Sequence, residues 1–377
     1  MTSNNSIAGK CLLMCPEKER KIRERHGLLH KYEIDERTKN AAKPKADPAK
    51  LIKEFTRSSV GRDMTDPNLL RPPGVLLSTT RYLFTNISTK TDSDWAFIYD
   101  FIFNRLRSIR QDAVIQRVDT VTSIHLLEPM VRFHTYAAQR LCEKSESEFN
   151  VNINKLHLLE CLTQLLLLYD DQNYKNASDS MEIHKTLESL TLNDNRSEME
   201  ALYILLNIGD KETLTRTLTL PSDLKNSPII RLATKISLAW YLRNYVRVSH
   251  LVHLLPPILA CAFFINLQNF KRSVLQIMTS AYNVPAKMAT RVGARFPGTK
   301  LQELLFYKAK EKIKADCILF GLQFYETSSS FDVLFQKSQF NSLQFEKTVA
   351  NPEMYYNSDV LHGFLPKILL ECSSIQS

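Results

Sequence analysis

Apolar residues recur at spacings of three and four through most of the chain. In "DSDWAFIYDFIFNRLRSIRQDAVIQRV" the side chains of Trp95, Ile98, Ile102, Leu106 and Ile109 share one face, which predicts a helix capped by Ser93 or Asp94. Arg105, Arg107 and Arg110 ride mainly outside that stripe. "TSIHLLEPMVRFHTYAAQRLCE" and "NINKLHLLECLTQLLLLYDD" repeat the pattern, the second with Asn154 as its expected cap and Leu158, Leu162, Leu165 and Leu166 as its core side. "RSEMEALYILLNIGD" predicts a helix that ends at Gly209, and "SPIIRLATKISLAWYLRNYVRVSHLV" predicts one further long helix. Pro67, Pro72, Pro73 and Gly74 stop whatever precedes them, and Val75 opens the periodic region.

Near the C-terminus the signature changes. "NFKRSVLQIMTSAY", "PAKMATRVGARF" and "TKLQELLFYKAKEKIKADCILF" predict three helices, after which "LQFYE" and "FDVLFQ" read as strands flanking "TSSS". No strand alternation precedes residue 320. Helices joined by polar loops, without a fixed repeat period, predict an all-α stacked antiparallel array, and three helices followed by a hairpin is the order of a winged-helix module. The expected organisation is an extended arm over 1–74, a helical array over 75–268, a winged helix over 269–347 and a tail over 348–377.

Composition narrows the function classes. With 377 residues, 44% of them hydrophobic, the chain can bury a substantial core as one elongated domain or two to three compact ones. The most apolar run, "LVHLLPPILACAFFINL", contains His253 and the pair Pro256-Pro257, so it predicts a broken core helix rather than a membrane span. Seven cysteines without framework spacing, and an N-terminus lacking an apolar signal region, point to a reducing interior. No G-x-G-x-x-G, G-x-x-x-x-G-K-[ST], H-E-x-x-H or C-x-x-C occurs. No nucleophile–base grouping can be assembled, and His125, His134, His157 and His253 lie inside apolar helical patterns, so the chain is read as a non-enzyme without a cofactor.

Net charge is +9 and unevenly spread. Residues 1–74 hold 16 Lys/Arg against 10 Asp/Glu and 269–347 hold 12 against 6, a surplus of six in each; 75–268 hold 20 against 21. Two basic zones around a neutral body fit a polyanion or an acidic partner, while an ordinary solvated surface explains the N-terminal zone equally well.

The arm contains Cys11, Cys15, His26 and His30 in C-x3-C-x10-H-x3-H order, the spacing of a small zinc finger. The linker "PEKERKIRER" has one apolar side chain, Ile22, and Gly27 weakens a helix through the histidines, so no mini-core could form around a metal. From Glu17 to Arg37 charges dominate, and "NAAKPKADPAK" has two prolines and no large apolar residue. Such a segment cannot fold alone and must be ordered by lying on something else.

"CLLMCPEKER" resembles the CPxMCPxxER opening of the germinal-centre-associated nuclear protein (GANP) / Sac-three family, with Leu12 in place of a proline. "LIKEFTRSS", "LRPPGVLLSTTRYLFTNI", "DFIFNRLRSIRQD", "RFHTYAAQRLCE", "ALYILLN" and "LACAFF" follow as blocks in family order, over roughly residues 9–347. The resemblance is closest to the short SAC-three-domain-containing animal type. It implies a PCI/TPR-like helical repeat array ending in a winged helix, and a nuclear scaffold in messenger-RNA export that binds a PCI-domain protein of the Thp-one type and a small acidic protein of the Sem-one type. The short animal type also implies a role in centrosome duplication and mitosis, with centrosome and spindle as further locations.

Two sets of candidate residues follow. In the winged-helix zone Lys287, Arg291, Arg295, Lys300, Lys308, Lys310, Lys312 and Lys314 could neutralise the phosphates of RNA or single-stranded nucleic acid; the pairs 287/291, 308/312 and 310/314 stand four apart on expected helices. In the arm, Cys15 and Pro16 are expected to anchor in an apolar groove. Glu17, Glu19 and Arg20 are expected to form a network with Arg105, Arg107, Arg110 and Asp112, beside Arg71 and Pro72 of "LRPPGVLL".

Overall fold

The computed structural model describes residues 7–57, 64–178, 185–282, 295–326, 330–335, 341 and 361–371, with the backbone alone at 173–178 and 185–194. The chain divides into two units, one of Met1–His134, Asn152–Ile183 and Asp359–Glu371, the other of Thr135–Val151, His184–Ser358 and Cys372–Ser377.

In the first unit α1 (Glu17–His26) begins behind Pro16 and ends at Gly27, whose φ of 66° makes the left-handed C-cap that only glycine adopts without strain. Turns of 3-10 helix at Lys31–Glu33 and Glu36–Thr38 continue the arm. α2 (Pro73–Tyr82) uses Pro73 at its first position and runs into a π-helical turn at Leu83–Ile87. α3 (Trp95–Gln116) is capped by Asp94, whose carboxylate accepts from the Ala96 N–H at 2.8 Å. α4 (Thr120–Arg140), as far as His134, and α5 (Val151–Ser178), from Asn152, follow. Phe133 gathers Phe84, Trp95 and Tyr99 around it at 5.6, 6.0 and 5.6 Å between ring centroids.

One expected cap is wrong. α5 starts three residues before Asn154, which is fully buried inside it and bonded sideways: its Nδ2 donates to the His134 carbonyl at 2.9 Å and its Oδ1 accepts from the Tyr99 hydroxyl at 3.0 Å. A side chain committed to two neighbouring helices has no free oxygen for its own helix end.

In the second unit come α6 (Lys185–Leu206), α7 (Lys211–Thr219), α8 (Ser222–Asn226), α9 (Pro228–Tyr241), α10 (Tyr245–Val252), α11 (Pro257–Ile265) and α12 (Leu267–Ala281). α9 packs on α6 and α10, and α11 packs on α6. Every residue from Ile258 to Phe264 is buried, so α11 is apolar all round and forms the centre of this unit. The helix is broken at Pro256-Pro257 as its sequence implies. The expected single helix over 227–252 is instead α9 and α10. Arg243 takes a left-handed φ of 56° between them, and Asn244 caps α10 by accepting from the Arg247 N–H at 3.1 Å. Spacing hides this break because each helix buries its own inner face and the apolar count continues across the turn.

The last part is mixed. β1 (Arg295–Pro297), α13 (Gly298–Leu304), α14 (Lys310–Leu319), β2 (Gln323–Glu326) and β3 (Phe331–Leu334) form an antiparallel sheet in the order β1-β3-β2 with two flanking helices. The expected hairpin is β2–β3, with Phe324 opposite Val333; Phe296 of β1 lies opposite Val333 on the other side.

Two expectations are corrected here. Residues 295–296, read as the end of a helix, belong to a strand that precedes residue 320, because fully buried Val333 needs a partner on both edges; the rest of that expected helix, 285–294, lies outside the described residues. "TKLQELLFYKAKEKIKADCILF" is two helices, parted where Phe306 has a φ of 56°. Its ring is drawn into a cluster with Phe263, Phe264 and Phe270 at 5.4–6.0 Å, and this tertiary contact overrides helix propensity. Most of the expected tail, 348–377, also lies outside the described residues, apart from 361–371, which contain the short helix Leu365–Leu370. No helix among the described residues is long and apolar enough to cross a membrane.

Candidate functional site

The arm lies along α3 and is held there by buried charge. Glu33, fully buried, is the hub of one cluster. Its Oε1 accepts from Arg105 Nη2 at 2.9 Å and from the Ile52 N–H at 3.1 Å; its Oε2 accepts from Arg23 Nη2 and from the His30 N–H at 3.2 Å. Glu54 adds a second carboxylate, 3.0 Å from Arg105 and 3.3 Å from Arg23. Glu19 stands 3.8 Å from Arg23 as a third carboxylate, so every buried charge of the cluster has a partner of opposite sign, which is the condition for burying it. Burial works against the Arg23 charge, yet Glu33 and Glu54 outweigh it and raise the Arg23 pKa above its ordinary value.

Asp112, also fully buried, is the second hub. Lys53 Nζ donates to its Oδ1 at 2.6 Å and Arg71 Nε to its Oδ2 at 2.7 Å. Arg71 spends its remaining donors on Ser108 Oγ at 2.7 Å and on the Met14 carbonyl at 3.3 Å, so one guanidinium joins α3 to the stretch just before α1. Gln116 closes the far end, donating to the Arg71 carbonyl while its own carbonyl accepts from the Gly9 N–H at 2.8 Å. Gly9 is required here: a Cβ would sit 2.5 Å from the Leu70 carbonyl oxygen.

Asp112 and Arg71 thus come together as buried partners, and Cys15 is buried against Ala46 and Leu51. Pro16 caps α1 and Pro72 caps α2. Glu19 accepts from the Glu54 N–H at 2.8 Å, and burial raises its pKa. Glu17 and Arg20 stay on their own helix, where Arg20 pairs with Glu17 and Glu24 at 3.3 Å each. Arg107 lies with its guanidinium 3.7 Å from the centre of the Phe55 ring, and Arg110 faces α5, 3.4 Å from Glu160 and from His157 Nδ1. Arg105, read as riding outside the stripe, is buried because the arm covers it. Sequence reasoning missed Arg23, Glu33 and Lys53. Glu33 sits 72 residues from Arg105 in a segment with no apolar period, so no spacing rule reaches it.

The zinc-finger residues are dispersed. The Cys15 thiol is pushed up in pKa by burial, and His26 is exposed at the end of α1. His30 stacks at 4.8 Å on Phe97 and lies 4.4 Å from Phe101; burial lowers its pKa to about 4, so the ring is neutral and its Nδ1 accepts from the Tyr32 N–H. Among the described residues no group of three or more His, Cys, Asp or Glu is placed to hold a metal ion.

The basic candidates of the last module are less uniform than their spacing implies. Lys287 and Arg291 lie outside the described residues. Arg295 is half-buried on β1 with its guanidinium 4.3 Å from the centre of the Tyr325 ring, and Lys300 is exposed on α13. Lys308 precedes α14, so the expected 308/312 helical pair does not form. Lys310, Lys312 and Lys314 do stand on α14. Lys310 pairs with Glu326 at 2.7 Å, Lys314 with the same carboxylate at 3.8 Å, and Lys312 with Glu143 at 3.8 Å. Hydrogen bonding and charge from Lys310 hold the Glu326 pKa below its ordinary value. The face is basic and solvent-accessible, and it is partly neutralised.

The SAC3/GANP family matches residues 14–326. The chain is 28% identical over 338 residues to Protein xmas of Drosophila melanogaster, covering 86% of this chain and 15% of that protein. It is 25% identical over 352 residues to SAC3 family protein 1 of Schizosaccharomyces pombe, covering 89% of this chain and 32% of the other. Over 174 residues it is 31% identical to SAC3 family protein B of Arabidopsis thaliana, covering 45% of this chain and 10% of that protein. The chain therefore spans a third or less of these relatives, and the matched span takes in the arm, the buried clusters on α3 and the helices up to β2. On that span the chain belongs to the SAC3/GANP family.

Proposed function

We propose that the chain is a non-enzymatic scaffold of nuclear messenger-RNA export, which holds a PCI-domain protein of the Thp-one type and a small acidic protein of the Sem-one type and presents the face of α14 to RNA. Family membership over residues 14–326 is the observation that carries the reading. The order α12, β1, α13, α14, β2, β3 supports a winged helix, with α14 as its exposed helix and the helices before it as a PCI-like array. Lysines with flexible stems, and no bidentate base-reading arrangement among the described residues, fit sequence-tolerant phosphate contact. Recovery of the tagged chain from its own cells with a PCI-domain protein and crosslinked RNA is the expected result. The pairing of Lys310, Lys312 and Lys314 with carboxylates favours a second reading, a protein-binding factor of centrosome and spindle; recovery of spindle proteins without RNA would establish it in place of the first.

A further inference from the structure

α9 turns Ile229, Ile230, Ala233 and Ile236 inward. Its outer face carries Arg231, Lys235 and Leu238, and Leu242 at its C-cap continues the line, all exposed. At about 100° per residue these four stay within roughly 60° of one another. Leu238 is 46% and Leu242 65% exposed, and Tyr241 and Val246 extend the apolar strip across the Arg243 turn onto α10, where exposed Arg247 follows.

Along α9 and α10 themselves the charge has one sign; α7 and α8, which pack on α9, carry the exposed Glu212 and Asp223. From Leu224 to Gln302 the sequence has eleven Lys/Arg and no Asp/Glu. Arg231, Lys235 and Arg247 make no ion pair with any described residue, in contrast to the lysines of α14. Adjacent leucines in water, with unpaired cations along the same line, describe a surface complementary to apolar side chains flanked by carboxylates. A nucleic acid would leave the leucines unused, since they offer no stacking plane to a base.

We propose that α9 and the start of α10 form a docking site for an acidic amphipathic helix of a partner protein. Leucine-type side chains of that helix lie on Leu238, Leu242 and Val246, and its carboxylates meet Arg231, Lys235 and Arg247. The site is separate from the α14 lysines and stands whether or not they bind RNA.

The test uses the full chain and three labelled probes: a synthetic amphipathic helix with leucines at heptad spacing and glutamates elsewhere, the same peptide with every Glu replaced by Gln, and a poly-uridine RNA. The acidic peptide is expected to bind about tenfold or more tightly than its neutral twin. Leu242→Ala and the triple reversal R231E/K235E/R247E should each weaken it about tenfold or more while leaving thermal stability unchanged, because all four positions are solvent-exposed. Reversal of Lys310, Lys312 and Lys314 should leave peptide binding intact. Equal binding of the two peptides, or RNA binding that the α9 variants abolish, would overturn the proposal. Self-association of the chain that Leu242→Ala removes would overturn it as well.

Discussion

Asp112 and Glu33 each sit at zero exposure with two cations donating to them, and removal of either carboxylate strands those cations in the interior. Asp112→Ala is expected to cost about 3–5 kcal/mol in chemical denaturation, whereas Glu17→Ala on the exposed side of α1 is expected to leave stability nearly unchanged. A double-mutant cycle on Arg71 and Asp112 should return a large coupling energy. Acid acts in part through the histidines, alongside carboxylates such as Glu24 and Asp119 whose pKa values are lowered. His134 is buried and bonded to Asn154, with its pKa lowered to about 3, chiefly by burial, and His30 is lowered to about 4 for the same reason. Both are neutral when folded and take up a proton more readily when unfolded. Their contribution is therefore complete above pH about 6.5 and is lost as pH falls toward 4 and then 3, at up to about 1.4 kcal/mol per pH unit for His134. The melting temperature measured across that window should fall, and His134→Gln should flatten the slope. At this scale the sequence was least legible: Cys15, Arg71 and Asp112 stand in recognisable blocks, whereas Glu33 takes partners both near it, His30 and Arg23, and far along the chain, Ile52 and Arg105, in no spacing a pattern encodes.

The arm is an element that the rest of the first unit completes. Its charge density shows that it cannot fold alone, and in the structure it is ordered by α3. Removing residues 1–40 deletes Arg23 and Glu33 together and leaves Arg105 with Glu54 alone. A melting temperature lower by roughly 6–12 °C is expected, from about 3 kcal/mol at about 2–4 °C each; an unchanged value would show that the arm is not part of the fold. Gly209 sits in the turn after α6 at a φ of 78°, with the Trp240 ring 2.5 Å from where a Cβ would be. Gly209→Ala is expected to destabilise by about 1–3 kcal/mol in the same assay. Helices were legible where one apolar face runs unbroken, as in α3 and α12. The breaks at Arg243 and Phe306 were not, because both residues are ordinary in composition and the left-handed turn is imposed by packing.

At the scale of the whole molecule the charge distribution carries the functional account. The basic surplus of residues 269–347 was visible by counting; its partial neutralisation by Glu326 and Glu143 was not, since it depends on which strand and loop face α14. Glu326→Gln removes the carboxylate that holds Lys310 and Lys314; if α14 meets RNA as proposed, RNA affinity is expected to rise by up to about fivefold, the scale of exposed ion pairs. The salt dependence of RNA affinity tests the account most directly, measured on the full chain and on the triple reversal of Lys310, Lys312 and Lys314. If α14 contacts the phosphates, log affinity falls linearly with log salt and the reversal lowers that slope by about 2, at about 0.7 per lost single-strand contact. An unchanged slope, or RNA binding that resists salt altogether, would contradict the claim that this face meets nucleic acid.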